Sequence, residues 1–204
     1  MRSSPCWEEN QENHQLSDLR TNSSVLDYLI WQIDDQEGFV ELIKNLLIVR
    51  TPDSEGSSNV RDLIISTLEP IGWHLEVDTF QTLSLLGEEV EFSNVIATEN
   101  PAKPRLLSLA CHYDSKTFPT GFLGATDSAV PCAIILSIAS SLNKIIKSQQ
   151  IESEISLQLI FFDGEEQLYE NTMFGPDGLY GSKHMASYLS ETPYMSEPGE
   201  QQNY

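Results

Sequence analysis

The sequence predicts an α/β layered fold, and three observations carry that prediction. Helix-spaced apolar residues open the first half of the chain. Four apolar stretches of strand length follow, each bounded by turn residues. A long, one-sided apolar segment separates the last two of these, so those two strands can run parallel with a helix as their crossover. At 204 residues and 40% apolar composition the chain has the length and content for one domain with a real core.

Taken in order, residues 1–23 are polar, lack periodicity and read as a loose arm. From Val25, apolar residues at 26, 29, 30 and 33 have helical spacing, "DDQEG" interrupts them, and 39, 40, 42, 43, 46 and 47 resume it, as two helices or one broken helix. "RTPDSEGSSN" is rich in turn formers and precedes a helix over about 58–69, ended by Pro70. "HLEVDTF" alternates as a half-buried strand does, and "FSNVIAT" and "RLLSLACHY" are two further strands joined through "NPAKP". After the loop "KTFPTGFLGATDS", the segment "AVPCAIILSIASSLNKII" reads as a helix with Asp127–Ser128 as its N-cap and Pro131 in its first turn. "EISLQLIFF" is the next strand, "GPDGLYGSKHMASYLS" a loop and helix, and residues 191–204 a polar, unstructured tail. No internal repeat is present, and no apolar run reads as long enough to span a bilayer.

The formal net charge of −20 argues against binding nucleic acid through its phosphates and against anionic membrane surfaces, and favours cations as partners. Solubility alone also accounts for such a charge. Of the three cysteines, Cys111 and Cys132 are one possible disulfide with Cys6 left over, and three reduced thiols are the alternative. The start of the chain has no apolar segment of signal-peptide type, and Asn22 begins the one N-x-S/T sequon.

Chemistry gathers at the strand ends, where sites in open α/β sheets lie. "RLLSLA" runs into Cys111, His112, Tyr113 and Asp114, and "LQLIFF" into Asp163, Gly164, Glu165 and Glu166. Asp127 precedes the helix between them. An adjacent acid pair is, alone, an ordinary solvated feature, and His-x-Asp an ordinary turn. If the two strands are parallel neighbours, one histidine and several carboxylates converge, and their mutual repulsion is relieved by a divalent cation. Mixed histidine and carboxylate ligation with an open position suits catalytic zinc. Of two adjacent acids, one can hold the metal while the other carries protons.

Four blocks in this order, "LACHYDSK", "GATDSAVPCA", "LQLIFFDGEE" and "LYGSKHMA", closely resemble the glutaminyl-peptide cyclotransferase (glutaminyl cyclase) family. "NSSVL", "LEVDTF" and "FSNVIAT" match it too. The resemblance covers about residues 20–190, and more remotely extends to the zinc aminopeptidases of the same fold. It implies a three-layer fold with a central mixed β-sheet flanked by helices, residues 24–190 forming the domain, and one zinc ion. By resemblance Asp127 and Glu166 are zinc ligands, Glu165 is the general base and acid, and His112 and Asp114 position the ligands by hydrogen bonds. Cys111 and Cys132 match a disulfide of secreted members, which implies an oxidising compartment and gives the Asn22 sequon a role as a glycosylation site.

The implied reaction cyclises the N-terminal glutamine of a peptide or protein to pyroglutamate and releases ammonia. The family's third zinc ligand, a histidine, lies beyond the last matching block and is absent from this chain; neither His74 nor His184 has the matching context. The chain therefore reads as C-terminally truncated, about two-thirds of a cyclase. The family's loop tryptophan is also missing, with Phe174 a candidate to replace it. A zinc aminopeptidase and a catalytically inactive truncated form are the competing expectations.

Overall fold

In a computed structural model, residues 35–149, 153–170, 177–191, 194–197 and 200–202 are described. The arm 1–23 with Cys6 and Asn22, the first helical stretch from Val25, and Phe174 lie outside them. The first described helix, α1 (Gln36–Leu46), is capped by the Asp35 carboxylate, which accepts from Gly38 N at 3.0 Å. Glu37 in its first turn and Lys44 in its last oppose the helix dipole. Helix α2 (Glu55–Leu68) starts at Ser54, whose hydroxyl accepts from Ser57 N. Val60, Ile64 and Leu68, four residues apart, form its fully buried stripe. Pro70 sits inside a short 3-10 turn, Glu69–Ile71, and Gly72 at φ 84° reverses the chain into the first strand.

Strands β1 (His74–Leu83) and β2 (Glu89–Thr98) form an antiparallel hairpin, closed by Ser84 N donating to Glu88 O at 2.8 Å. Strand β3 (Arg105–His112) and β4 (Ile155–Phe162) pair in parallel, and β4 also pairs antiparallel with β2, giving a mixed sheet of order β1-β2-β4-β3. Helix α3 (Val130–Gln149) is the crossover between the parallel strands, as the sequence predicts.

The sheet's two faces are distinguished by alternation. Val95, Ala97, Leu159 and Phe161 point into the main core with Ala133, Leu136 and Ala139 of α3 and the buried stripe of α2. Phe92 and Asn94, on the other face of β2, meet α4 (Tyr180–Glu191): Phe92 stacks on Tyr180 at 4.8 Å, and Asn94 Nδ2 donates to Gly181 O. The mixed sheet between helical layers is the predicted architecture.

Three expectations change. The segment Ala125–Lys147 is, by length and composition, apolar enough to cross a bilayer, contrary to the reading that no run is long enough; half of it is buried inside the fold, as a crossover helix packed on a sheet requires. In place of an unstructured tail, β5 (Tyr194–Glu197) and β6 (Glu200–Gln202) pair antiparallel, since backbone pairing needs no apolar pattern. Asp127–Ser128 does not act as an N-cap. Both residues have non-helical dihedrals within the turn Ala125–Ala129, their peptide bond is cis, and Ser128 Oγ hydrogen-bonds His112 O.

Candidate active site

The parallel register places His112 opposite Phe162, so the two strands end at the same edge. Tyr113 N donates to Phe162 O at 2.8 Å and carries the pairing one residue further, to the point where Asp114 meets the acid turn 163–166. Asp114 is fully buried, and its carboxylate organises this edge. Oδ1 accepts from Glu165 N at 3.1 Å, Oδ2 accepts from Glu166 N at 3.0 Å, and Oδ1 lies 3.2 Å from His112 Nδ1. A buried carboxylate satisfied in this way anchors the backbone of its neighbours.

The acid turn is fixed from its other side by α4. Leu179 N, Tyr180 N and Gly181 N donate in succession to the carbonyls of Glu165, Gly164 and Asp163, at 3.0, 2.8 and 3.0 Å. The approach is close: a Cβ on Gly181 would stand 2.3 Å from Asn94 Oδ1 and 2.4 Å from Asp163 O. Only glycine permits this contact, which gives the "LYGS" block a structural reason.

His112 Nε2 lies 2.9 Å from Asp127 Oδ1 and 3.7 Å from Glu165 Oε2. Burial works against a charged imidazole, but the hydrogen bond and charge of Asp114, the hydrogen bond to Asp127 and the charge of Glu165 together push it up to about 9. Glu166 is buried. Its carboxyl is raised by that burial, against which the ammonium of Lys116, 3.3 Å from Oε2, pulls it down. Burial also pushes Asp163 up to about 7, although its carboxylate accepts from Ser93 N and Gly164 N.

One ligand atom each of His112, Glu165 and Glu166 lies within 4.8 Å of the others. Glu166 Oε1 is buried, with no hydrogen-bond partner among the described residues. An orphaned, buried carboxylate oxygen facing other donors is what a divalent cation would satisfy, so the residues present fit a metal. Asp127 touches this group through His112 and is 68% exposed, so it lies at the rim and not within the triad. The structure thus brings all five sequence-predicted residues, His112, Asp114, Asp127, Glu165 and Glu166, to one sheet edge.

Beside them, Cys111 and Cys132 form a disulfide that ties the end of β3 to α3. His184 belongs elsewhere: its ring stacks on Phe80 at 3.8 Å and its Nε2 is 3.2 Å from Asp78 Oδ1. Lys116 and Asp177 were not read from the sequence. Asp177 is buried and accepts from Leu168 N, Tyr169 N and the Tyr180 hydroxyl, which holds the chain just after the acid pair. Its "GPDG" context carries only a loop signal.

The family described as peptidase family M28 matches residues 94–198, just over half of the chain. The glutaminyl-peptide cyclotransferase-like protein of Mus musculus is 43% identical over 184 residues, which are 87% of this chain and 47% of that protein. The glutaminyl-peptide cyclotransferase of Bos taurus is 41% identical over 203 residues, 92% of this chain and 54% of that one. Among solved structures, the glutaminyl cyclase of Macrostomum lignano superposes with a TM-score of 0.69 at 36% identity, over 78% of this chain and 47% of its own. The chain spans about half the length of the curated relatives it matches.

Proposed function

Because the chain belongs to peptidase family M28, we propose that its acid-lined sheet edge carries out zinc-dependent glutaminyl-peptide cyclotransfer, converting the N-terminal glutamine of peptides or proteins to pyroglutamate with release of ammonia. The observation that carries this reading is the match of most of the chain to proteins named glutaminyl-peptide cyclotransferases.

Asp127 and Glu166 would hold the metal, Glu166 through the buried oxygen that lacks a partner among the described residues. When bound, zinc supplies Lewis-acid polarisation of the glutamine γ-carbonyl. Glu165, 39% exposed, is the acid of the pair that a substrate can reach. It accepts a proton from the substrate α-amine as that nitrogen bonds to the γ-carbonyl carbon, and returns it to the amide nitrogen as the carbon–nitrogen bond breaks and ammonia leaves. One carboxylate serves both nitrogens because both are bonded to the same γ-carbonyl carbon, one entering the five-membered ring and the other leaving from it. Asp114 orients Glu165 and Glu166 by accepting from their amides, and His112 holds Asp127 through Nε2. The Cys111–Cys132 disulfide supports an oxidising compartment, with secretion and glycosylation at Asn22 as its consequences.

A second reading is favoured by the grouping of His112, Glu165 and Glu166: with Glu165 as a metal ligand, the site suits an aminopeptidase, in which water is the nucleophile. Incubating the zinc-supplemented chain with a Gln-initiated peptide separates the readings by mass spectrometry. Pyroglutamyl peptide plus ammonia supports the cyclase, and free glutamine supports the peptidase. Absence of both products with zinc bound overturns catalysis by this chain and leaves the inactive form.

A further inference from the structure

Arg50 lies in the loop between α1 and α2, where an arginine reads as a surface residue, yet it is fully buried and among the largest side chains that are. Among the described residues its guanidinium meets no carboxylate directly. Nε donates to Tyr113 O at 2.5 Å, Nη1 to Ile48 O at 3.2 Å and to Leu123 O, and Nη2 to Gly124 O at 3.0 Å. The backbone adds two bonds: Arg50 N donates to Ser115 Oγ at 3.0 Å, and Ser115 N donates to Arg50 O at 3.2 Å.

These partners are the two ends of the strap that joins the halves of the site. Tyr113 and Ser115 flank Asp114, and Leu123 and Gly124 come just before Asp127. Gly124 has φ 51°, and a Cβ there would stand 2.3 Å from Asp127 O and 3.3 Å from Arg50 Nη2, so the strap closes tightly against the guanidinium. A planar fork of five donors can bridge carbonyls from both ends at once, which a lysine ammonium cannot. The charge, stripped of water, is offset at longer range by the carboxylates of Asp114 and Glu166.

We propose that Arg50 is a positioning residue: its fork pins the Asp114 and Asp127 ends of the strap together and thereby sets where Asp127 stands relative to His112 and Glu166. Its consequence for metal binding rests on the reading given under Proposed function, and its structural content does not.

The test compares Arg50→Met and Arg50→Lys with Leu68→Ala, a cavity-forming core substitution at the far end of α2, all in the full chain. Hydrogen–deuterium exchange is followed across residues 113–128, and zinc affinity is measured by competition with a chelating dye. Both Arg50 variants are expected to lose protection selectively in 113–128 and to bind zinc ~10–100-fold more weakly, the lysine giving no rescue. Leu68→Ala is expected to raise exchange without that selectivity and to keep its zinc affinity. Unchanged exchange in 113–128 in the Arg50 variants, or the same selective loss in Leu68→Ala, overturns the proposal. A wild-type chain that binds no zinc overturns the metal reading instead, and the exchange pattern still decides the role of Arg50.

Discussion

The His112 imidazole is held between two carboxylates, with Nε2 2.9 Å from Asp127 Oδ1 and Nδ1 3.2 Å from Asp114 Oδ1. With both ring nitrogens facing acceptors, the metal-free site favours the imidazolium. That preference makes stability depend on pH. A group whose pKa is raised on folding contributes fully below its unfolded value and loses the contribution as pH climbs through the folded one. For His112 the window runs from the ordinary imidazole value of 6.5 up to about 9. The metal-free chain is therefore expected to lose a few kcal/mol of stability as pH rises across that window. Urea midpoints at the two ends of the window check it. His112→Gln should flatten the dependence, and an equal slope in both proteins rules the assignment out.

Asp114 has no solvent exposure and accepts from Glu165 N, Glu166 N and His112. Asp114→Asn replaces one acceptor oxygen with an NH2 group facing amide donors, and removes the counter-charge of His112 and Arg50. A loss of about 3–5 kcal/mol is expected, since a buried partner is left unpaired. Denaturant titration of the two proteins measures it, and a change below about 1 kcal/mol contradicts the anchoring role.

The acid pair divides its labour under the cyclase reading, and the division can be measured. Glu165→Gln is expected to lower ammonia release by about 10²–10⁴-fold while zinc stays bound. Asp127→Asn and Glu166→Gln are expected to lose zinc. Elemental analysis of the purified variants distinguishes the two classes. If Glu165→Gln loses as much zinc as Glu166→Gln, the ligand set is His112, Glu165 and Glu166, and the proton carrier must be another group.

The site was legible in the sequence because its parts stand at the ends of apolar strands. "ISLQLIFF" announces burial by its composition; "RLLSLACH" is also apolar but lies at the sheet edge and is buried only at Cys111 and His112, and the charges that follow each stretch are conspicuous against its apolar run. The parallel register that joins them depends on the crossover helix, also visible as a long one-sided apolar segment. Local rules failed where distant partners decide. Asp127–Ser128 has the chemistry of a cap, but His112, fifteen residues earlier, takes the carboxylate, and the carbonyl of the same histidine takes the hydroxyl. Arg50 was invisible because its carbonyl partners in the strap lie 63–74 residues away. No short-range pattern marks an arginine that will be satisfied by main-chain oxygens of another segment.

The Cys111–Cys132 bridge closes a loop of 21 residues' separation that contains His112, Asp114 and Asp127. Cross-linking a loop of that length restricts the unfolded chain by about 3 kcal/mol in the loop-entropy account. The Cys111→Ala/Cys132→Ala double variant is expected to unfold at a lower denaturant concentration by that amount, and adding reductant should lower the wild type alone. Identical midpoints with and without reductant in the wild type would mean that the bridge adds no stability.

Gly178 ties the geometry of Glu165 to a backbone position. It has φ 101°, and a Cβ there would stand 2.5 Å from Glu165 O and 3.4 Å from Glu166 O. Alanine meets both a disfavoured conformation and main-chain atoms that cannot rotate away, so Gly178→Ala must displace either α4 or the acid turn. Conformational strain of this kind is worth about 1–3 kcal/mol. The steric overlap falls on the carbonyl that Leu179 N holds, so the disturbance is expected in residues 163–168 before the rest of the sheet. Hydrogen–deuterium exchange should show protection lost at the acid turn and kept in β1; under the cyclase reading, turnover falls as Glu165 leaves its place. Wild-type protection across 163–168 in Gly178→Ala would show that the turn does not depend on this contact.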